Sequence, residues 1–293
     1  MTALPFDKTS TAEAVTDGLD LAGKTYLVTG CNSGLGLETT RVLGLRGARV
    51  VGLARTAAKA QAALEQTGTA GDAVACDLGD LGSVRAAVET VRALGPLDGI
   101  IANAGIMALP ARETLHGVER QLFVNHVGHF ALVTGIIDGL TRSGRVVVLS
   151  SGAHRYAKGG MELDNADGSR DYDPWRMYGR SKLANILFAR SLARKFEGSG
   201  RTAFSVHPGV IETNLGRHVP NKDAMYDSFR DILKTVGQGA ATQVLVATHP
   251  DVTAHSGRYF SDCQPAGTLP QGEDDVLADA LWTWTEAAID RIG

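Results

Sequence analysis

The chain has 293 residues, of which 44% are hydrophobic and 21% are charged, and its net charge is −3. This length and apolar content suit one large globular domain or two small ones. The Arg and Lys residues are scattered without a basic run, which argues against a nucleic-acid or anionic-membrane surface. No apolar run reaches the roughly 18 residues of a membrane span, and the N-terminus lacks signal-peptide features. We therefore expect a cytoplasmic protein without a membrane anchor.

Seven short, β-branched, apolar stretches alternate with amphipathic stretches along the chain. We predict strands at 24–30, 48–54, 72–77, 97–103, 144–150, 202–208 and 257–260. The intervening helices are predicted at 34–46, 80–94, 118–140, 174–192 and 236–248. Because the strands are continuously hydrophobic, both sheet faces should be covered by helices. The pattern predicts an α/β fold of the Rossmann type, a doubly wound parallel sheet of about seven strands with helices on both faces.

The first predicted strand runs directly into "TGCNSGLG", residues 29–36. Gly30, Gly34 and Gly36 follow a strand and open a helix, where missing Cβ atoms let the backbone approach a pyrophosphate. An ordinary glycine-rich turn is the alternative. The position at the first strand-to-helix turn favours a dinucleotide site.

The cysteines and two of the histidines are candidate metal ligands. Cys31, Cys76 and Cys263 are an odd, widely spaced set, so we predict reduced packing residues and neither disulfides nor a zinc site. His126 and His129 are three residues apart, yet no carboxylate or Cys accompanies them. We predict no metal.

Seven motifs follow one another along the chain: "TGCNSGLG", "CDL" at 76–78, "NAG" at 103–105, "VNHVGHF" at 124–130, "LSS" at 149–151, "YGRSK" at 178–182 and "HPG" at 207–209. On these motifs the chain, from about residue 10 to 290, resembles the short-chain dehydrogenases/reductases. "VNHVGHF", "SKLANILFARSLARKF" and "GRYFSDC" are most similar to the retinol-dehydrogenase-like branch and its soluble bacterial relatives. Residues 1–20 would then be an extension, in which Ser10 and Glu13 could cap a short helix. Residues 21–293 would form one dinucleotide-binding catalytic domain.

The resemblance implies a catalytic tetrad of Asn125, Ser151, Tyr178 and Lys182. Tyr178 would be the general acid/base, and Ser151 would hold the substrate oxygen, with Ser150 as the alternative. Asn125 would kink its helix and hold water in a proton relay with Lys182. The alternative for Asn125 is a polar residue satisfied by backbone groups.

Tyr178 and Lys182 are four residues apart, which places them side by side on one helix. A Tyr at its reference pKa of about 10 is a poor acid-base group near neutrality. An ammonium at about 4 Å contributes roughly 4 kcal/mol at an effective dielectric near 20. We therefore predict that Lys182 lowers the pKa of Tyr178.

The resemblance also implies the cofactor contacts. Asp77 would lie beside adenine, Asn103 would brace the crevice, Lys182 would hold the nicotinamide ribose and Thr213 would contact the carboxamide. The complete set is Gly30, Asn32, Ser33, Gly34, Leu35, Gly36, Arg55, Asp77, Leu78, Asn103, Ala104, Gly105, Tyr178, Lys182, Pro208, Gly209, Val210 and Thr213.

The choice of cofactor depends on the end of the second strand. An acidic residue there accepts hydrogen bonds from the ribose 2′-hydroxyl of NAD, whereas a 2′-phosphate needs a cation. The chain has Ala54 and Arg55 at this point and no carboxylate between 50 and 60. NADP(H) is therefore favoured over NAD(H).

Two segments should border the substrate. Residues of about 154–175 form an insert before Tyr178, in which Asp173 should cap the following helix and His154 could contact substrate or serve the structure. Residues of about 210–236 occupy the place of the family's substrate-covering segment. Their apolar side chains would either line a lid or form a packed amphipathic helix; they are Leu215, Met225, Tyr226 and Phe229.

The leading hypothesis is an NADP(H)-dependent oxidoreductase that reduces ketones or aldehydes and is reversible as an alcohol dehydrogenase. An NAD-dependent alcohol dehydrogenase, a noncatalytic dinucleotide-binding redox sensor and a light-driven protochlorophyllide reductase are the alternatives. The partner is a small carbonyl or alcohol, with no nucleic acid. A homodimer or homotetramer could form through the helices at 118–140 and 175–198, unless the insert blocks it.

Overall fold

The structure is a computed structural model that describes residues 4–293. Its strands within those residues are β1 (Thr25–Thr29), β2 (Arg49–Ala54), β3 (Gly71–Ala75), β4 (Leu97–Ala102), β5 (Thr114–Leu115), β6 (Val118–Glu119), β7 (Leu140–Leu149), β8 (Thr202–His207), β9 (Tyr259–Ser261) and β10 (Gln264–Ala266). The helices are α1 (Gly34–Leu45), α2 (Ala57–Thr67), α3 (Leu81–Leu94), α4 (Arg120–Leu122), α5 (Gly128–Ile136), α6 (Pro174–Lys195), α7 (Lys222–Ser228), α8 (Val236–Thr248) and α9 (Asp275–Asp290).

Eight strands form one sheet in the order β10-β9-β8-β7-β4-β1-β2-β3. The pairs between β3 and β9 are all parallel, and β10 adds an antiparallel edge. The strand order reverses beside β1, which is the place where doubly wound sheets bind ligands. The predicted α/β fold is confirmed. The extra strand β10 was missed because it has three residues and contains Pro265, which fits only an edge.

Helices cover both faces of this sheet, as the strand composition predicts. Alternation along β1 sends Val28 into the core beneath α1, α2 and α8, and sends Leu27 into the core beneath α3, α5 and α6. Each is fully buried. Burying such a side chain contributes roughly 1.5–3 kcal/mol, so the two cores hold the strand ends, and any site on them, in fixed positions.

The predicted helix 118–140 is not one continuous helix in the structure. The β5–β6 hairpin precedes it, with a two-residue turn in which His116 and Gly117 both have positive φ (51° and 78°). A π-helical turn, Phe123–Val127, then separates α4 from α5. The hairpin was missed because each strand has only two residues, too few to show a period.

The N-terminal extension contains a 3₁₀ turn, Ala14–Thr16, and its first three residues lie outside the described part of the chain. The predicted capping by Ser10 and Glu13 is wrong. The Ser10 hydroxyl accepts a hydrogen bond from the Asp7 amide at 3.0 Å, and Glu13 pairs with Arg41 at 2.5 Å. Thr11 caps the turn instead, because its hydroxyl accepts the Ala14 amide at 3.2 Å.

Helix α9 packs across α5 and α6, the two helices on which we predicted an oligomer contact. Asp275 pairs with Arg190 at 2.6 Å. The Trp282 ring lies 4.7 Å from that of Phe130, and Lys195 lies over Trp282 at 4.2 Å. This face is occupied within the chain, so pairing through it stays a prediction. Among residues 4–293, none of the helices is both long and apolar enough to span a bilayer.

Candidate active site

Helix α6 places Tyr178 and Lys182 against the carboxyl end of β7. Asp173 begins the helix as predicted, since its carboxylate accepts the Arg176 amide at 2.6 Å. The Lys182 Nζ donates to the Leu149 carbonyl at 3.0 Å and lies 5.5 Å from the centroid of the Tyr178 ring. Each of these two side chains is only 4% exposed. A phenol and an amine are thus held together, out of water, at the ligand-binding edge of the sheet.

The predicted effect of Lys182 on Tyr178 is wrong for this arrangement. Burial raises the pKa of Tyr178 above its ordinary value, and a hydrogen bond with Ser151 opposes that rise only in part. Burial also lowers the pKa of Lys182 to about 8. Because Lys182 is directed at the Leu149 carbonyl, desolvation outweighs any attraction between ammonium and phenolate.

The two serines that follow β7 have different surroundings. Ser150 is buried, and its hydroxyl donates to the Lys182 carbonyl at 2.7 Å. Ser151 caps the next 3₁₀ turn by accepting the Ala153 amide at 3.1 Å, and its hydroxyl acts on the Tyr178 phenol so as to lower the pKa of that group. Ser151 therefore lies beside the phenol, whereas the hydroxyl of Ser150 makes a hydrogen bond within the protein interior.

Asn125 lies in the π-helical turn and is fully buried. Its side chain accepts the Ile106 amide at 2.8 Å and donates to the Ile106 carbonyl at 2.9 Å. Its backbone carbonyl contacts His129 Nδ1 at 3.1 Å. The structure thus shows the irregular helix predicted at Asn125, and it also shows the backbone partners of the alternative reading. The water relay stays a prediction.

His129 connects this turn to the first and fourth strands. Burial lowers its pKa to about 4, so the ring is neutral. With the Nδ1 proton donated to the Asn125 carbonyl, Nε2 accepts the Thr29 hydroxyl at 2.9 Å. The Thr29 oxygen in turn accepts the Asn103 and Ala104 amides, both at 2.9 Å. One chain of hydrogen bonds therefore joins β1, the "NAG" turn after β4 and the π-helical turn that contains Asn125.

The glycine loop fits a dinucleotide phosphate. A Cβ on Gly36 would lie 2.1 Å from the Gly30 carbonyl oxygen, so only glycine permits this close turn. Gly30 and Gly34 have positive φ, 67° and 51°. Within the described chain, the N-cap Ser33 makes no side-chain bond to the first turn of α1, which leaves its hydroxyl and the turn's amides for an anion.

Other predicted cofactor residues lie at the ends of neighbouring strands or near the glycine loop. Gly105 lies against the tetrad, because a Cβ there would be 3.2 Å from Asn125 Oδ1 and 3.7 Å from Lys182 Nζ. Thr213 touches the glycine loop, with its Cγ2 3.3 Å from a Cβ on Gly34. Arg55 is exposed directly after β2. The remaining members follow strand ends or open α1; they are Asn32, Leu35, Asp77, Leu78, Pro208, Gly209 and Val210.

The insert is anchored by Arg180, a residue that the sequence reasoning missed. Arg180 is fully buried, and its guanidinium donates to the Met161 carbonyl at 2.9 Å and the Asn165 carbonyl at 3.0 Å. His154 is also buried: Nδ1 bonds the Ser151 carbonyl at 2.7 Å and Nε2 accepts the Leu269 amide at 3.3 Å. Both ring nitrogens of His154 are therefore engaged in hydrogen bonds to the backbone. One feature of the sequence could have indicated this role. Arg180 comes two residues after Tyr178, so its side chain leaves the helix on another face.

An apolar cluster surrounds the Tyr178 ring. Trp175 stands edge-on to it at 6.3 Å, and Tyr156, 51% exposed, stands edge-on to Trp175 at 6.1 Å. Residues after β4 and in the segment 210–236 complete the cluster; they are Met107, Ala108, Leu215, Val219 and Met225. Met225 belongs to α7, so the segment is both a short helix and part of the wall around Tyr178. Trp175 and Met107 were not predicted.

The comparisons with known proteins agree with this geometry. The family described as short chain dehydrogenase matches residues 24–224. A short-chain dehydrogenase TIC 32 B, chloroplastic, of Brassica napus is 38% identical, over 98% of this chain and 95% of its own length. A probable oxidoreductase of Streptomyces lividans is 41% identical, over 91% and 97%. Retinol dehydrogenase 14 of Mus musculus is 39% identical, over 91% and 86%. The chain belongs to the short-chain dehydrogenase family, and the predicted resemblance is confirmed.

A solved structure extends the comparison to a complex. The crystal structure of a blue fluorescent protein from a metagenomic library in complex with NADPH has a TM-score of 0.69 and 25% identity. The match covers 85% of this chain and 100% of that chain. That protein therefore holds NADPH on a fold that this chain shares. One relative carries a chloroplastic name, so the predicted cytoplasmic location stays a prediction.

Proposed function

We propose that this protein reduces ketones or aldehydes with NADP(H), with Tyr178 as the general acid/base. The observation that carries the proposal is the buried pair Tyr178 and Lys182, with half-buried Ser151 beside them, at the carboxyl end of β7 and inside an apolar wall. The glycine loop follows β1, which is separated from β7 in the sheet by β4 alone. A hydride acceptor placed beside Tyr178 would be within reach of both sites.

The side chains have distinct tasks in this proposal. NADPH, when bound, supplies the hydride. The Ser151 hydroxyl donates a hydrogen bond to the carbonyl oxygen, and the Tyr178 phenol gives its proton to the alkoxide that forms. Lys182 would hold the ribose hydroxyls and Asn125 would keep the π-turn in place. Because burial raises the pKa of Tyr178, the phenol stays protonated at neutral pH, which is the form that can donate a proton in a reduction.

The substrate is expected to be apolar. The surface around Tyr178 presents Trp175, Met107, Leu215 and Met225. A hydrophobic or aromatic carbonyl compound would bury surface there at about 25 cal/mol per Å². A short polar carbonyl would gain little from the same wall.

We further infer that residues 21–293 act as one catalytic domain. The parallel sheet runs continuously from β3 to β9. The insert and the segment 210–236 both touch Tyr178 through Trp175 and Met225. No part of the site would then be complete without the others.

A substrate panel tests the proposed function directly. Apolar aromatic and long-chain aldehydes and ketones, with short polar carbonyls as controls, are incubated with enzyme and NADPH, and NADPH consumption is recorded. We expect turnover with the apolar members and a higher KM for the polar ones. Binding of NADPH with no turnover on any carbonyl would instead favour the noncatalytic sensor.

The cofactor preference has its own test in the double variant Ala54→Asp, Arg55→Gln. The carboxylate would accept the ribose hydroxyls of NADH and repel the 2′-phosphate of NADPH, so the preference should invert. A charge-assisted contact corresponds to about tenfold to 150-fold in affinity. The measurement is kcat/KM for NADPH and NADH on one carbonyl substrate. A wild type that already prefers NADH would make the protein the NAD-dependent alternative.

A further inference from the structure

The peptide unit between Ser151 and Gly152 is held at both of its polar atoms by histidine side chains. Its carbonyl oxygen, which belongs to Ser151, accepts a hydrogen bond from His154 Nδ1 at 2.7 Å and another from the His154 amide at 3.0 Å. Its amide, which belongs to Gly152, donates to His207 Nδ1 at 3.0 Å. Because a peptide unit is planar, fixing both polar atoms also fixes its rotation about the bond to the Ser151 Cα.

His207 reaches this peptide unit from the neighbouring strand. It is the last residue of β8, which pairs in parallel with β7. The Ser150 amide donates to the Val206 carbonyl at 2.7 Å, so the two strands stay aligned as far as the serines. The imidazole also packs closely on the turn, because a Cβ on Gly152 would lie 3.3 Å from His207 Nε2. The ring and the peptide unit are therefore matched in shape as well as in hydrogen bonding.

The hydrogen bonds assign a protonation state to each ring. A backbone amide can only donate, so His207 Nδ1 carries no proton. A carbonyl can only accept, so His154 carries its proton on Nδ1. Burial and, next, the charge of Lys234 lower the pKa of His207 to about 4, and Lys234 is itself paired with Asp262 at 2.5 Å. The lone pair on His207 Nδ1 is therefore available at neutral pH.

We propose that His207 is a positioning residue for Ser151. This inference rests on the proposed function, in which the Ser151 hydroxyl donates to the substrate oxygen. That hydroxyl accepts the Ala153 amide at 3.1 Å, so its place depends on the turn that the His207 ring holds through Gly152. Without the acceptor, the peptide unit would be free to rotate and the turn would no longer fix the hydroxyl. A shift of about 1 Å near a reacting group can cost about 10²-fold in rate.

The first test removes the acceptor and then restores it. His207→Leu lacks Nδ1, whereas His207→Asn carries a side-chain oxygen at the equivalent position. With one apolar carbonyl and NADPH, His207→Leu should lower kcat by about tenfold to 100-fold and change KM and the Kd of NADPH by less than about twofold. His207→Asn should recover most of the lost rate. His255→Leu is the matched control, since His255 precedes β9 at the opposite end of the sheet, and it should leave kcat unchanged.

A double variant separates the positioning of Ser151 from any other role of His207. In Ser151→Ala there is no hydroxyl to orient, so adding His207→Leu should lower kcat further by less than about twofold. The same loss in both backgrounds would overturn the inference. Weaker NADPH binding at unchanged kcat would also overturn it, because His207 would then serve the adjoining cofactor residues Pro208 and Gly209.

Hydrogen exchange of the Gly152 amide, followed by NMR, gives a readout that does not depend on turnover. This amide should exchange at least about tenfold faster in His207→Leu than in wild type, and near the wild-type rate in His207→Asn. The amides of β8 and the melting temperature should be nearly unchanged. An unchanged exchange rate at Gly152 in His207→Leu would overturn the inference whatever the kinetics. If Gly152 responds as expected but the wild type reduces no carbonyl, the proposed function fails and His207 remains the residue that fixes this turn.

Discussion

Replacing Tyr178 by Phe is expected to lower kcat for carbonyl reduction by at least a few hundredfold, within the range of about 10²–10⁴ for a general acid/base. The substitution removes the proton donor and keeps the ring that packs on Trp175 and Met107. The fold and the affinity for NADPH should therefore be nearly unchanged. Steady-state kinetics, NADPH titration and thermal melting measure the three quantities.

Tyr156→Phe is the matched control for this experiment. Tyr156 stands in the same row of aromatic rings but is 51% exposed, so loss of its hydroxyl should change kcat by less than about twofold. If Tyr178→Phe kept more than about a tenth of the wild-type rate, another group would have to be the proton donor.

Ser151→Ala is expected to be similarly damaging, because it removes a donor placed where charge develops on the substrate oxygen. Loss of one such donor costs about 10²–10³ in kcat. Ser151 also lowers the pKa of Tyr178, so its loss would leave the phenol a weaker acid as well as removing the donor to the substrate oxygen. Comparing kcat with KM for one apolar carbonyl should show the loss mainly in kcat.

Ser150→Ala separates a structural from a catalytic effect at the neighbouring position. The Ser150 hydroxyl is used in the interior, where it donates to the Lys182 carbonyl at 2.7 Å. Loss of this hydroxyl should lower the free energy of unfolding by about 1 kcal/mol, the net contribution of one hydrogen bond. Turnover should stay within a few-fold of wild type. The opposite ranking of the two serines would exchange their assigned roles.

The strand pattern and the ordered motifs allowed much of this protein to be predicted from sequence. Continuous β-branched segments are buried on both faces in the structure, and their ends fall within a few residues of those predicted. Short elements were not predictable: β10 and the β5–β6 hairpin have two or three residues per strand. Their pairing depends on what lies beside them, which local composition does not encode.

The features of the site also differ in whether the sequence or the tertiary structure decides them. Sequence alone determined the fold class, the glycine loop after β1 and the four-residue spacing of Tyr178 and Lys182, because each depends on local composition and periodicity. Tertiary structure decided the direction of the Tyr178 pKa shift, since desolvation depends on everything packed around the phenol. It also brought Thr213 against Gly34 of the glycine loop, residues far apart in the chain. Such long-range contacts arise only when loops from separate strands meet at one edge of the sheet.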